Sequence, residues 1–394
     1  MVLIFNMTTD VLKEKNAIHT AGEIYQQPDV WQETMDMIGP NYESFRTFVQ
    51  DIFTKHEQVQ VMLTGAGTSA FAGDTLAPEL NKQTPGHVHF VAVPTTDIVS
   101  NPKEYLFPDV PTIMVSFARS GNSPESLATV SLAEEIINDF YQVVITCNKD
   151  GQLAKNIQED ANSITLLMPE KSNDQSLAMT SSFTCMVLAA YALFSKKPLA
   201  NKTLQQLTQN ARRLLDSVTE TIDDILAFPF ERVVYLGSGI LSELAHEASL
   251  KMLELTGGKV VAMHESSLGF RHGPKSVINE QSIIVVFVSQ DSYTRKYDID
   301  ILREVAADDS GMKVIALTET YDEEVAALAD WLIPVRSTNE ALKSDLYLAL
   351  LDIIFAQTFA MKKSLDLGLT PDNPSPDGVI NRVVKGVTIH PFNA

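Results

Sequence analysis

Hydroxyl side chains gather at two points of this sequence where a short apolar run gives way to a helical pattern. The first, Gly65-Ala66-Gly67-Thr68-Ser69, puts small residues and two hydroxyls at a helix start, where free backbone N–H groups and the helix dipole favour an anion. Taken alone, a Gly-x-Gly of this kind is equally a tight strand-to-helix turn. The second, Ser116-Phe117-Ala118-Arg119-Ser120-Gly121-Asn122-Ser123-Pro124-Glu125, adds the hydroxyls of Ser120 and Ser123, a guanidinium, and a helix start with Pro inside it. Ser123 also reads as the N-cap of that helix. In an open parallel sheet the loops after neighbouring strands meet at the carboxyl edge, so the two segments can converge on one phosphate.

A different chemistry lies further on. Helical spacing from Ile240 to Leu255 separates an apolar stripe of Leu241, Leu244, Ala248, Met252 and Leu255 from a polar row of Glu247, Lys251 and Glu254. Such a row is ordinarily a solvated ion-pair face worth about 0.2–0.5 kcal/mol per pair. The next segment, His264-Glu265-Ser266-Ser267-Leu268-Gly269-Phe270-Arg271-His272-Gly273-Pro274-Lys275, carries two histidines, two cations and a Gly-Pro turn. That density of ionisable groups marks it as functional. Zinc is excluded, because neither His246-Glu247 nor His264-Glu265 continues into an H-E-x-x-H register. Cys147 and Cys185 fit no ligand spacing either, so no metal or redox cofactor is expected. The remaining histidines read as surface or core residues.

These groups need a scaffold, and the pattern from Glu57 onward supplies one. Short β-branched runs alternate with helical segments, which is the signature of a parallel sheet wrapped by helices. The first set is Val59–Thr64, Val88–Val93, Thr112–Phe117, Gln142–Cys147 and Ser163–Met168; the second is Arg232–Leu236, Lys259–Met263, Ser282–Val288, Lys313–Thr318 and Trp331–Val335. Gly65-Ala66-Gly67 recurs as Gly237-Ser238-Gly239, and Val143-Val144-Ile145-Thr146 as Val314-Ile315-Ala316-Leu317. We read a tandem duplication of one α/β unit. The second copy has lost the Thr-Ser pair and the Arg-Ser-Gly-Asn-Ser run, so the first is expected to bind phosphate. A helix over Leu204–Ala227 joins the copies, Met7–Phe53 reads as helical with a break at Gly39-Pro40, and Asp345–Lys363 reads as a buried helix. The Pro- and Gly-rich stretch from Leu367 reads as an extended tail.

Composition limits the possible partners. The chain has 394 residues, 45% of them hydrophobic and 20% charged, the balance of a globular protein. With 30 basic and 50 acidic residues its formal charge is -20, which disfavours nucleic acid and anionic membranes. No apolar run reaches the roughly 20 residues that span a bilayer, and the first residues lack a signal-peptide core. A reducing cytoplasm is the expected home.

Together these strings resemble the double sugar isomerase (SIS) domain proteins, from about Ser44 to the C-terminus, and in particular the AgaS-type branch of galactosamine-6-phosphate deaminase/isomerases. The strings that carry the resemblance are Gly65 to Ser69, Ser116 to Ser123, the helix from His246 to Glu254, Glu265 to Lys275, and the tail from Asn373 to Pro391; the last two are the most specific. The resemblance implies two tandem three-layer, flavodoxin-like domains, each a parallel five-stranded sheet between helices. It divides the chain into a helical segment (1–43), a phosphate-binding SIS domain (44–200), a linker helix with a second SIS domain (201–365) and a tail (366–394).

Site roles follow from the isomerase half of glucosamine-6-phosphate synthase. Ser69, Ser120 and Ser123 fall on phosphate-contacting positions, beside Gly67, Thr68 and Arg119, and Arg119 replaces a neutral residue, implying tighter phosphate capture. Glu254 falls on the base that moves a proton between C1 and C2. His272 falls on the ring-opening residue, which in that relative reaches into the partner subunit's site, so a homodimer or higher homo-oligomer is implied. Lys251 and Glu247 match the Lys and Glu of the same helix, Glu247 as a substrate contact, and Lys385 matches the lysine of the tail. One of the two lysines would stabilise the enolamine oxygen, and Lys385 is alternatively a Schiff-base former. Ala178 and Thr180 match the sugar-contacting turn, where Met179 replaces a serine. Only a short stretch precedes the first copy where the synthase has a glutaminase domain, so ammonia is not expected to come from glutamine.

The activity implied is conversion of galactosamine 6-phosphate and water to tagatose 6-phosphate and ammonia. A glucosamine-6-phosphate deaminase and a tagatose-6-phosphate ketose/aldose isomerase are the alternatives that keep the same residues. A non-catalytic sugar-phosphate sensor is disfavoured by the lack of a basic helix-turn-helix segment.

Overall fold

A computed structural model describes residues 3–84, 86–196, 199–308, 310–384 and 386–392. Its first sheet contains β1 (Val59–Thr64), β2 (Val88–Ala92), β3 (Thr112–Ala118), β4 (Phe140–Thr146) and β5 (Ser163–Leu167), in the order β2-β1-β3-β4-β5. The second contains β6 (Arg232–Gly237), β7 (Val261–Ser266), β8 (Ser282–Phe287), β9 (Lys313–Thr318) and β10 (Trp331–Pro334), in the order β10-β9-β8-β6-β7. Every pairing is parallel. Counted within each set, both orders are second-first-third-fourth-fifth, the flavodoxin-like arrangement. The duplication read from the Gly-x-Gly strings is therefore a duplication of topology.

Central strands such as β3 and β8 are buried along their whole length, as strands covered by helices on both faces must be. The departure is at β7, expected from Lys259 and found from Val261. The Ile240–Leu255 helix ends in a turn, Gly257 N–H donating to Glu254 C=O and Gly258 N–H to Leu253 C=O, which delays pairing. β7 then runs on through His264, Glu265 and Ser266, because an edge strand with one neighbour tolerates polar residues.

The chain forms two compact units. One comprises Asp29–Asp174, Met179–Asn201 and Gly378–Ala394 and holds the first sheet; the other comprises Met1–Pro28, Gln175–Ala178 and Lys202–Asp377 and holds the second. In the first unit the core between sheet and helices includes Met62, Met114, Val144 and Ala133. In the second it includes Val234, Ile284, Val286, Ile301 and Val314. Helices Thr9–Glu14, Ile18–Tyr25, Gln27–Ile38 and Tyr42–Lys55 fill the N-terminal region, with a 3-10 turn at Gly39–Asn41 where the break was read. The connecting helix is Asn201–Leu226, and the buried helix is Asp345–Asp366. Among the described residues no helix is long and apolar enough to cross a membrane.

Candidate functional site

In the unit that holds the first sheet, the loop after β1 is shaped by its glycines. Gly67 sits at φ 56° and ψ -129° as the cap of the Thr68–Gln83 helix, a conformation that costs an L side chain strain. At Gly65 a Cβ would lie 2.6 Å from Ser69 Cβ, so only glycine lets the helix start this close to the strand end. The second copy repeats this geometry: Gly239 has φ 58° and ψ -125°. Thr95 N–H donates to Gly65 C=O at 2.8 Å in one copy, and Ser267 N–H to Gly237 C=O at 2.8 Å in the other.

The loops after β1 and β3 do converge. They line a cleft of about 100 Å³ with Ala66, Ser69, Arg119, Ser120, Ser123 and Ser126, closed by Met179 and by tail residues Arg382 to Val384. Ser123 caps the Pro124–Ile136 helix by accepting from Ser126 N–H at 3.3 Å, and its Oγ is 2.6 Å from Ser126 Oγ. Ser126 is a hydroxyl of the cleft that the sequence reading missed; its spacing from Ser123 was the available signal. Ser120 Oγ accepts from Asn122 N–H at 3.3 Å, and Asn148 Nδ2 donates to Ser120 C=O at 2.8 Å. The β3 and β4 loops thus hold one another.

Three expected contacts look different here. Arg119 lines the cleft but donates through Nη2 to Arg382 C=O at 2.8 Å, so its guanidinium also holds the tail. Thr180 is fully buried, and its N–H and hydroxyl both go to the Asp174 carboxylate, at 2.7 and 3.3 Å. Asp174 also accepts from Ser181 N–H, Ser182 N–H and Ser182 Oγ, answering the donors at the start of the Ser181–Phe194 helix. Ala178 is buried as well. What faces the cleft from this turn is Met179, its sulfur 3.9 Å from Ser69 Oγ. Lys385 lies outside the described residues.

In the unit that holds the second sheet, the Glu247–Lys251–Glu254 row is not solvated. Lys251 Nζ lies 2.5 Å from Glu254 Oε2 and 3.4 Å from Glu247 Oε1, with Lys251 and Glu247 side chains at 0% exposure and Glu254 at 22%. The reason is that the helix is covered on two sides, by β6 and β7 and by the Asp345–Asp366 helix. Glu247, expected to touch the sugar, has no exposed surface; it backs Lys251, which in turn holds Glu254. Burying three charges is favourable only when they compensate one another, and a cation between two carboxylates does so in part. The partly exposed Glu254 is the one free to exchange a proton with a ligand.

His272 is exposed, in the turn that ends the 3-10 segment Gly269–Arg271 after β7. His246 and His264 stack with ring centroids 3.8 Å apart. Burial pushes the His246 imidazole down to about 4, helped by the neighbouring His264, and burial lowers His264 too. Both are therefore neutral at pH 7.

Where the first copy leaves a cleft, the second has tied its loops together. Asp298, fully buried, accepts from Ser238 Oγ after β6 (2.6 Å), Ser267 Oγ after β7 (2.6 Å) and Ser289 N–H after β8 (3.0 Å). An internal carboxylate thus takes donors from the loops after β6 and β8, the counterparts of the cleft loops after β1 and β3, and from the loop after β7.

The sequence matches the SIS domain twice, over residues 55–196 and 229–363. Over 376 residues it is 41% identical to the D-galactosamine-6-phosphate deaminase AgaS of Escherichia coli, covering 95% of this chain and 96% of that protein. The D-galactosamine-6-phosphate deaminase AgaS of a Shewanella species is 39% identical over 390 residues, covering 98% and 95%. Among solved structures, tagatose-6-phosphate ketose/aldose isomerase from Escherichia coli matches with a TM-score of 0.87 at 39% identity, over 95% of this chain and 97% of that one.

Proposed function

Because the chain belongs to the SIS-domain family, with two copies of the domain, we propose that it converts D-galactosamine 6-phosphate and water to D-tagatose 6-phosphate and ammonia. The observation that carries the reading is the buried Glu247–Lys251–Glu254 row, a carboxylate with partial access to solvent held by a buried cation. Two relatives at 39% and 41% identity bear the name D-galactosamine-6-phosphate deaminase, which supports the substrate.

In this mechanism the phosphate is anchored by Ser69, Ser120 and Ser123, with the charge of Arg119 beside them. His272 moves the proton that opens the pyranose. Glu254 removes the C2 proton, and the C–H electron pair becomes the C1–C2 double bond of an enolamine as O1 takes a proton. Glu254 returns its proton to C1, leaving an imine at C2. Water adds there, nitrogen leaves as ammonia, and the water oxygen becomes the ketone. Lys251 keeps Glu254 Oε2 in place, which leaves Lys385 as the lysine for O1. Exposure of His272 supports a role in the partner subunit's site, and hence a homodimer or larger assembly. The cytoplasm is the proposed compartment.

A ketose/aldose isomerase acting on tagatose 6-phosphate is the second reading, favoured by the solved relative of that name at 39% identity. It uses the same residues with oxygen in place of nitrogen at C2. Both readings are tested by following ammonia and ketose phosphate formed from galactosamine 6-phosphate, beside glucosamine 6-phosphate. Release of ammonia chiefly from the galacto sugar is expected, whereas no ammonia from either amino sugar, with ketose phosphate formed instead from galactose 6-phosphate, favours the second reading. Glu254→Gln is expected to bind the sugar phosphate but not turn it over; normal turnover in that variant refutes the assignment.

A further inference from the structure

His272 is exposed, yet its neighbours on both sides are tied to one carboxylate. Arg271 Nε donates to Glu304 Oε2 at 2.5 Å and Lys275 Nζ donates to Glu304 Oε1 at 2.7 Å. Asp308 holds Lys275 a second time at 2.9 Å. The base of the same loop is fixed by Ser267, whose Oγ goes to Asp298. Asp298 and Glu304 lie on one helix, Thr294–Ala306. That helix is itself seated by Ile301, Leu302 and Val305, all buried in the core that includes Ile284 and Val286 of β8.

Ion pairs as exposed as these contribute little to stability, so their effect is on geometry. A carboxylate that engages both oxygens, with cations one residue before and three residues after a histidine, limits how far the intervening backbone can turn. The two cations also hold the Glu304 carboxyl below its usual range, Lys275 first and Arg271 second, so it stays charged at neutral pH.

We propose that Glu304 is a positioning residue for His272, fixing the loop that carries it by clamping Arg271 and Lys275. The role rests on the ring-opening assignment of His272 made above. Neither Glu304 nor the helix that carries it touches the sugar in this scheme.

The test is a double-mutant cycle with Glu304→Ala and His272→Asn, read by steady-state kinetics on galactosamine 6-phosphate and by amide hydrogen exchange. Glu304→Ala is expected to lower kcat about tenfold with KM changed by less than about twofold, as for a catalytic group held loosely. Amides of residues 269–278 should exchange at least about tenfold faster, with the Ile240–Leu255 helix unchanged. In the His272→Asn background the same substitution should lower kcat by less than about twofold, because there is no imidazole left to position. An equal loss in both backgrounds, or unchanged exchange in the loop, overturns the proposal. Full activity in His272→Asn, together with faster exchange in Glu304→Ala, overturns the ring-opening assignment and with it this role, while leaving the clamp itself in place.

Discussion

Replacing Asp298 by Ala should weaken the unit of the second sheet more than any surface change could. The carboxylate is fully buried and takes three donors, two of them hydroxyls at 2.6 Å and one the Ser289 backbone N–H at 3.0 Å. Ser289 is itself fully buried, so in Asp298→Ala its N–H has no water to turn to. A stranded buried donor costs about 1–3 kcal/mol, and the two hydroxyls, which can rotate to other acceptors, about 0.5–1 kcal/mol each. Relief from burying a charge offsets part of this, leaving a net loss of about 2–4 kcal/mol. At about 2–4 °C per kcal/mol for a unit of this size, the melting temperature should fall by roughly 5–15 °C. Asp298→Asn keeps one acceptor oxygen and should lose less than about half as much. There is also a pH signature. Burial raises the Asp298 pKa above its ordinary 3.8, against the three hydrogen bonds that lower it, so the folded protein binds this proton more tightly than the unfolded chain. Its contribution to stability therefore grows as pH falls through the folded-state pKa and levels off below the unfolded one. The gap between wild type and Asp298→Asn should widen as acid is added. Thermal melts of the three proteins between neutral pH and pH 4 make the measurement. A melting temperature for Asp298→Ala within about 2 °C of wild type would refute the reasoning.

Two other outcomes follow from the geometry. Gly65→Ala should cost about 1–3 kcal/mol and abolish sugar-phosphate binding, because its Cβ would meet Ser69 at 2.6 Å; melting and a binding titration with the substrate check both effects. The stacked histidines should make the protein acid-sensitive. With His246 lowered from 6.5 to about 4, stability is lost as pH drops between those values, since protons favour the unfolded chain. Because the ring is half exposed, screening limits the loss to on the order of 1–2 kcal/mol. His246→Gln should remove that slope, and an unchanged slope would contradict the assignment.

The strands were legible because β-branched runs of strand length are a local signal, and nine of the ten lie within about two residues of their expected bounds. β7 slipped because the polar residues His264 to Ser266 gave no hint that an edge strand would absorb them. The Gly-x-Gly turns, Ser123 as a cap and the meeting of the β1 and β3 loops could also be read directly, since each depends on residues within a few positions. The burial of Glu247 and Lys251 could not. Helical spacing ranks faces by polarity, and it has no access to the second helix, Asp345–Asp366, that covers the polar row. Asp298 and Glu304 escaped for a related reason. Each is one carboxylate whose partners are brought to it by chain topology, with no motif around it.

The two copies share a backbone turn at Gly67 and Gly239 but differ in what faces it, an open cleft in one and a resident carboxylate in the other. One half of the duplicated fold thus carries its carboxylate covalently, at fixed stoichiometry, while the other, in the proposed function, draws an anion from solution. Ligand concentration then becomes a variable of state for only one of them. A sugar phosphate at a hundred times its Kd would add about 2.7 kcal/mol to the unit that holds it, and none to a unit whose anion is already part of the chain.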